Sequence, residues 1–453
     1  MKRLLLVLAL IALILPLSAQ ESGTPEQGFS AGMNLGSDLL PDPDDPTTFT
    51  SWSKLGFQPD LSLGKFGVGL DLTFRFQLYP EGSSSPVRIY SPDWIPQDGQ
   101  TVFDVYLPKI MYVRYGLRGI DPFYVKLGSI ADFTLGNGLI ISDYANTRFL
   151  PDRRLFGLQL GVDGAIFKVP YVGFEALTGN LARLDVVGGR VYLRPLAFLG
   201  SSILGRVQIG ATAVVDQDPL LYTDPANYPS YPASGLIYVA GADLTVPIIS
   251  GKALSLTAFV EGAREMNGAM GAITGIGGKL IGFIKYGAQI RYLQEGFLPA
   301  YFDANYDLYR ADRFAYVDGT TPGDFQAGWL ASLGFELFNK KITFGALLDG
   351  PFAAIPAVDN ENSAAYPHLK GSLVLGEGML GGLSFEGGYE KYFIGRRDAA
   401  FFSDLVDPTD AVVGLAVNYK TGATVLTLNY AYRWDPSVDD WDVSSSLSAS
   451  VRF

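Results

Sequence analysis

WDVSSSLSASVRF, residues 441–453, reads as a β-strand with two unlike faces. Trp441, Val443, Leu447, Ala449, Val451 and Phe453 share one parity, broken by Ser445. Asp442, Ser444, Ser446, Ser448, Ser450 and Arg452 share the other. Successive strand side chains point to opposite faces, so one face is apolar and the other polar. Such a strand needs an apolar covering on one side only.

The same period of two recurs upstream. Phe66, Val68, Leu70, Leu72, Phe74, Phe76 and Leu78 alternate with Gly67, Gly69, Asp71, Thr73, Arg75, Gln77 and Tyr79. Similar patterns run through 103–115, 123–127, 187–193, 207–213, 254–260, 284–292, 329–337, 383–389, 413–419 and 426–432. Residues 268–284, mostly Gly and Ala around Lys279, read as two short strands meeting at Gly277 and Gly278. Alternating segments of about ten residues separated by turn chemistry are the pattern of membrane barrels. Soluble sheets alternate as well, so the argument rests on repetition along the whole chain. Connections are short at 63–65, 168–170 and 419–422, and long at 80–101, 216–234, 296–323, 350–366 and 393–410. The long ones carry much of the negative charge, which suits a solvated surface.

The terminal strand, ending on Phe453, resembles the C-terminal strand of Gram-negative outer-membrane β-barrels. The resemblance implies an all-β transmembrane antiparallel barrel, here of about 18 strands within a range of roughly 16–20, with short periplasmic turns and long outer loops. It also implies a place in the outer membrane in contact with its lipid, and recognition by the barrel-assembly machinery through the strand ending in Phe453. A homotrimer is an assembly common among porins. At the other end, Lys2, Arg3 and the apolar run 4–17 before Leu17-Ser18-Ala19 read as a signal peptide over residues 1–19. Residues 20–453 are then the barrel, with 20–53 a short N-terminal segment that includes a candidate first strand.

Composition narrows the function classes. The chain has 453 residues, no Cys, one His and a formal charge of −12, which becomes −14 without Lys2 and Arg3. An acidic exported chain is a poor nucleic-acid partner, because that binding needs clustered cations. With one His and no Cys, no metal site or cofactor is expected. His368 shows no His-x-Ser-Asn-Gly pattern resembling the outer-membrane phospholipase, and no acid adjoins it in sequence, so no enzyme activity is expected.

A wall of about 16 strands or more leaves room for an aqueous channel. With the apolar parity set to lipid, Arg75, Arg114, Lys126, Arg190, Arg194, Arg206, Lys285, Arg291, Arg433 and Arg452 face the lumen. Asp71, Glu261, Glu336, Glu386, Glu390 and Asp442 join them. An Arg or Lys facing mid-bilayer lipid would cost about 2–4 kcal/mol. The basic excess suggests a mildly anion-preferring passage for small hydrophilic solutes, since cationic pore rings favour anions; mutual pairing of these charges is the competing reading.

Residues 129–155 depart from a plain hairpin. Gly136-Asn137-Gly138 is followed by Tyr144, Arg148, Asp152, Arg153 and Arg154, a set able to form an inward constriction or, alternatively, to cap a strand end at the headgroups. A second run, Tyr301, Phe302, Tyr306, Tyr309, Phe314 and Tyr316, suits either sugar contact or a self-packed loop. A plugged TonB-dependent transporter would need a longer N-terminal region. A fatty-acid channel is the runner-up, and a structural or adhesive barrel without a pore is the remaining class.

Overall fold

The computed structural model describes residues 28–78, 87–97, 100–150, 153–200, 202–223, 235–354, 363–396, 401–407, 409–422, 424–435 and 440–451. The expected signal peptide, Asp152, Arg452 and Phe453 lie outside the described residues.

Strands come in chain order as β1 (Gly28–Asp42), β2 (Asp45–Leu63), β3 (Phe66–Leu70), β4 (Leu72–Leu78), β5 (Val87–Ile89), β6 (Ile110–Tyr115), β7 (Phe123–Gly128) and β8 (Phe133–Leu135). Next come β9 (Ile141–Tyr144), β10 (Gly157–Asp163), β11 (Val172–Thr178), β12 (Val186–Leu193), β13 (Gln208–Asp216), β14 (Ile237–Ser250), β15 (Ser255–Glu265) and β16 (Met270–Leu280). The last are β17 (Ile284–Gln294), β18 (Phe325–Leu337), β19 (Ile342–Pro351), β20 (His368–Leu380), β21 (Leu383–Lys391), β22 (Ala411–Thr421), β23 (Thr424–Asp435) and β24 (Asp440–Val451).

Among the described residues, 22 of these strands form one antiparallel sheet, and β8 and β9 form a separate hairpin. The sheet closes on itself where Leu35 of β1 meets Ala449 of β24. β3 and β4 both pair with β2, while β6 pairs with β3 and β5 with β4. Counting each of these interrupted strands once leaves twenty wall positions among the described residues. With an even number, β1 begins and β24 ends at the same rim. Closure removes the edges that lipid could not hydrate.

Side chains sort by parity as the wall requires. Phe57, Phe74, Val191, Leu193, Ile209, Ile290, Leu333 and Leu447 are exposed apolar residues on the outer face. An apolar belt of this extent on a closed sheet marks a membrane-spanning barrel of outer-membrane type. No helix among the described residues is long and apolar enough to cross a membrane.

Two local expectations fail for identifiable reasons. Residues 268–284 do not turn at Gly277 and Gly278; β16 runs straight through them to Leu280, and the turn follows at Ile281 and Gly282, both with positive φ. Those glycines serve close backbone approach instead: a Cβ on Gly278 would lie 1.9 Å from the Ser255 carbonyl oxygen. Residues 103–115 are not one strand either. A short helix, Val102–Tyr106, and a 3-10 turn containing Pro108 precede β6, because proline cannot donate to the ladder.

Candidate functional site

Two connections from the long-loop rim enter the barrel and pack on each other. In the first, residues 129–156, the turn Gly136-Asn137-Gly138 joins β8 to β9. Gly136 and Gly138 have φ of 61° and 89°, conformations that favour glycine. Leu135, Leu139, Ile140, Ile141 and Tyr144 are buried. Asn146 closes the base: its Oδ1 accepts from Ile130 N at 2.7 Å, and its Nδ2 donates to the Gly179 carbonyl at 2.8 Å.

The second connection, residues 295–324, carries the helix Tyr306–Gly319. Ile141 and Phe302 form a parallel bridge between the two connections. Ala300 N donates to Leu139 O at 2.7 Å and Ser142 N to Phe302 O at 3.1 Å. Tyr301, Phe302, Tyr306 and Phe314 are covered by this core. Of the two readings of that aromatic run, self-packing therefore holds for these four, and their faces are closed to a sugar.

This plug sits off-centre. Its apolar side packs on Leu177, Val186, Val214, Val239, Ile273 and Leu293 of β11–β17. Its tip is fastened to the wall where Asn137 N donates to Glu261 Oε2 at 2.6 Å and Thr245 Oγ1 to Asn137 Oδ1 at 3.1 Å. The helix is fastened by Arg310, which reaches Asp185 at 2.9 Å and Asp216 at 2.6 Å, with Asp307 at 3.8 Å. Burial pushes Asp307 up to about 7, the neighbouring Asp185 and Asp216 adding to it against the pull of Arg310.

The plug's other edge is charged. Asp143 meets Lys370 of β20 at 3.3 Å, Arg154 meets Asp71 between β3 and β4 at 2.7 Å, and the Arg148 carbonyl accepts from Arg433 of β23 at 3.3 Å. Along β22, β23, β2 and β4 the inner parity carries smaller polar side chains, among them Asn418, Thr427, Gln58 and Thr73.

Of the constriction candidates, Tyr144 lies in the plug core, whereas Arg148 and Arg154 lie on the charged edge. Arg148 Nε donates to the Ala304 carbonyl at 2.8 Å. Arg153 rests its guanidinium over the Tyr222 ring at 4.8 Å.

The basic wall candidates are mostly paired with acids. Arg75 meets Asp38 at 2.6 Å and Asp93 at 2.7 Å. Arg190 meets Asp243 at 2.7 Å and Glu175 at 3.2 Å. Lys285 meets Glu336 at 2.7 Å, Arg433 meets Asp442 at 2.7 Å, and Arg291 pairs with Asp349. Arg114 and Lys126 face each other in register on β6 and β7; Arg114 donates to Ser62 Oγ at 3.3 Å and Lys126 lies over the Tyr112 ring. Glu386 is half-buried on β21.

Two basic candidates are not on strands. Arg194 follows β12 and meets Asp163 at 2.6 Å near the short-turn rim. Arg206 sits in a 3-10 turn before β13 and donates to the Ile248 carbonyl at 3.3 Å, so it braces a turn and does not line the strand wall. The glycine preceding it lets the chain fold back tightly there: a Cβ on Gly205 would meet the Gly200 carbonyl at 2.3 Å.

Sequence reasoning named Glu336 and Asp442 but missed Asp38, Asp93, Glu175, Asp243 and Asp349, which complete the pairs of Arg75, Arg190 and Arg291, and it missed the surroundings of His368. The His368 ring nitrogens lie 3.3 Å from Asp349 and 3.2 Å from Glu390, and its ring stacks on Tyr392 at 4.7 Å. Glu390 also accepts from Asn305 Nδ2 of the plug at 2.6 Å. In a strand, residues two apart share a face, so His368 and Lys370 on β20 are same-face neighbours. That signal was legible; their partners on β19 and β21 were not.

No family model and no curated protein matches the chain. Among solved structures, Wzi, an Escherichia coli outer-membrane protein involved in group 1 capsule assembly and described as a carbohydrate-binding β-barrel, is similar at 11% identity over 95% of this chain and 85% of its own, with a TM-score of 0.34. Pseudomonas aeruginosa OccK5 (OpdH) is similar at 11% identity over 95% and 100%, TM-score 0.34. A BenF-like porin from Pseudomonas fluorescens Pf-5 is similar at 10% identity over 95% and 100%, TM-score 0.31. Likenesses of this order say nothing about solute or activity.

Proposed function

We propose that this protein is an outer-membrane pore for small hydrophilic solutes, with the passage running beside the off-centre plug. One observation carries the reading: the two inward connections pack their apolar side on β11–β17 and turn a charged edge toward β20, β23 and β4. Asp143–Lys370, Arg154–Asp71 and Arg148–Arg433 bridge that edge to the wall, and solute then moves past these bridges along the smaller polar side chains of β22, β23 and β2, among them Asn418, Thr427 and Gln58. The ion pairs of Arg75, Arg190, Arg291 and Lys285 cancel much of the basic excess, so any anion preference is weak.

We assign no catalytic role to His368, whose two carboxylate neighbours and ring stacking make it a brace between β19, β20 and β21. Assembly through the C-terminal strand and a homotrimeric state belong to the same proposal, and cross-linking in native membranes reads out the latter. Planar-bilayer recording of the purified, refolded protein under a salt gradient tests the pore. Discrete conductance steps with a small reversal potential are expected; a membrane that stays silent with correctly folded protein overturns it.

A further inference from the structure

The helix Tyr306–Gly319 carries a charge imbalance into a place shut off from water. Asp185 from the connection before β12, Asp216 at the end of β13 and Asp307 on the helix itself surround a single guanidinium, that of Arg310. Arg310, Asp307, Asp185 and Asp216 are all nearly or fully buried. Asp185 and Asp216 hold the two terminal nitrogens of Arg310, leaving Asp307 the remote third acid at 3.8 Å. The phenols of Tyr144, Tyr222 and Tyr306 complete the shell, and Tyr306 donates to Asp216 at 2.5 Å. Asp218, two residues beyond Asp216, adds a further acid facing Arg310. With every carboxylate of the buried group ionised, one cation faces three anions, an arrangement that a buried site does not sustain.

We propose that Asp307 is a proton-operated latch on the plug: neutral, it lets the helix seat against Asp185 and Asp216, and ionised, it drives the helix off that wall toward the passage and narrows it. This rests on the reading of a conducting lumen. Seated, Asp307 releases its proton at about 7, because burial and the two neighbouring acids oppose its charge. Unseated, it releases it in the ordinary carboxyl range near 4. Between those limits the seated state holds one more proton than the unseated one. Its population relative to the unseated state therefore falls by up to tenfold per pH unit as pH rises, and falls no further once pH exceeds 7.

The test records the full-length refolded protein in planar bilayers from pH 4.5 to 8.5, beside Asp307→Asn. As pH rises from 5 to 7 wild type should spend more and more time in its smaller conductance, levelling off above 7, while Asp307→Asn should keep the acid-pH behaviour throughout. Asp185→Asn removes one opposing acid, so its plateau should arrive at lower pH. Hydrogen exchange across the helix, corrected for intrinsic rates, should show the same pH profile without relying on conductance. A pore that conducts identically at every pH, or an Asp307→Asn profile that tracks wild type, overturns the latch and leaves the pore standing. If no conductance appears at any pH the pore reading fails, and the exchange profile alone decides whether the helix unseats.

Discussion

Ile141 and Phe302 pair as a parallel bridge inside a protein whose named strands all pair antiparallel among the described residues. The two connections therefore lie side by side as one body, and its stability rests on that contact and the buried rings around it.

Phe302→Ala should loosen this body by about 3–5 kcal/mol, the usual cost of truncating a fully buried Phe. The wall ladder does not pass through Phe302, so heat-modifiable migration should stay unchanged. Hydrogen exchange should speed up across residues 133–144 and the helix. Equal acceleration in the wall would show that plug and wall are one cooperative unit.

Glu261→Ala should free the plug tip, since Asn137 N would lose its carboxylate acceptor. Stranding a buried donor costs about 1–3 kcal/mol. The chain has no Cys, so Asn137→Cys can be labelled cleanly. A membrane-impermeant maleimide should react faster when Glu261→Ala is added.

Arg190→Gln should impair folding. Its removal strands Asp243, whose side chain is 1% exposed, and breaking a buried pair from one side costs about 3–5 kcal/mol. Lys420→Gln, from a pair whose side chains are 41% and 43% exposed, should cost less than about 1 kcal/mol. Urea midpoints of the refolded proteins provide the comparison.

Lys370→Gln should shift ion preference toward cations, because it leaves Asp143 at the plug edge and Glu390 on the wall without their ammonium neighbour. Folding should persist, since His368 and Asn305 still hold Glu390. The reversal potential in a potassium chloride gradient gives the sign. An unchanged value would place the passage elsewhere in the lumen.

The wall was legible because parity is local: a strand such as β24 shows its two faces within its own residues. Pairing partners were not, since Asp243 lies 53 residues from Arg190, Asp349 lies 58 from Arg291, and Asp185 lies 125 from Arg310. The inward fold of residues 129–155 stood beside a headgroup reading because both use the same basic and aromatic residues. The helix was missed although its signal was present: Tyr306, Asp307, Arg310, Ala311, Phe314 and Val317 recur at helical spacing and are all buried. Acids and arginines on that stripe disguised an inward face as a solvated loop.

Because the wall closes where Leu35 meets Ala449, the barrel joins nearly the two ends of the described chain. Contacts this distant in sequence form slowly, since the whole intervening polypeptide must first be confined. The plug faces the same ordering problem: its two segments meet inside a ring that is still open until the last strand arrives. An open ring with a half-packed interior exposes both unpaired strand edges and the rings of Tyr301 and Phe302. That intermediate is the form of this protein most prone to aggregate, and the one a folding helper would need to shield.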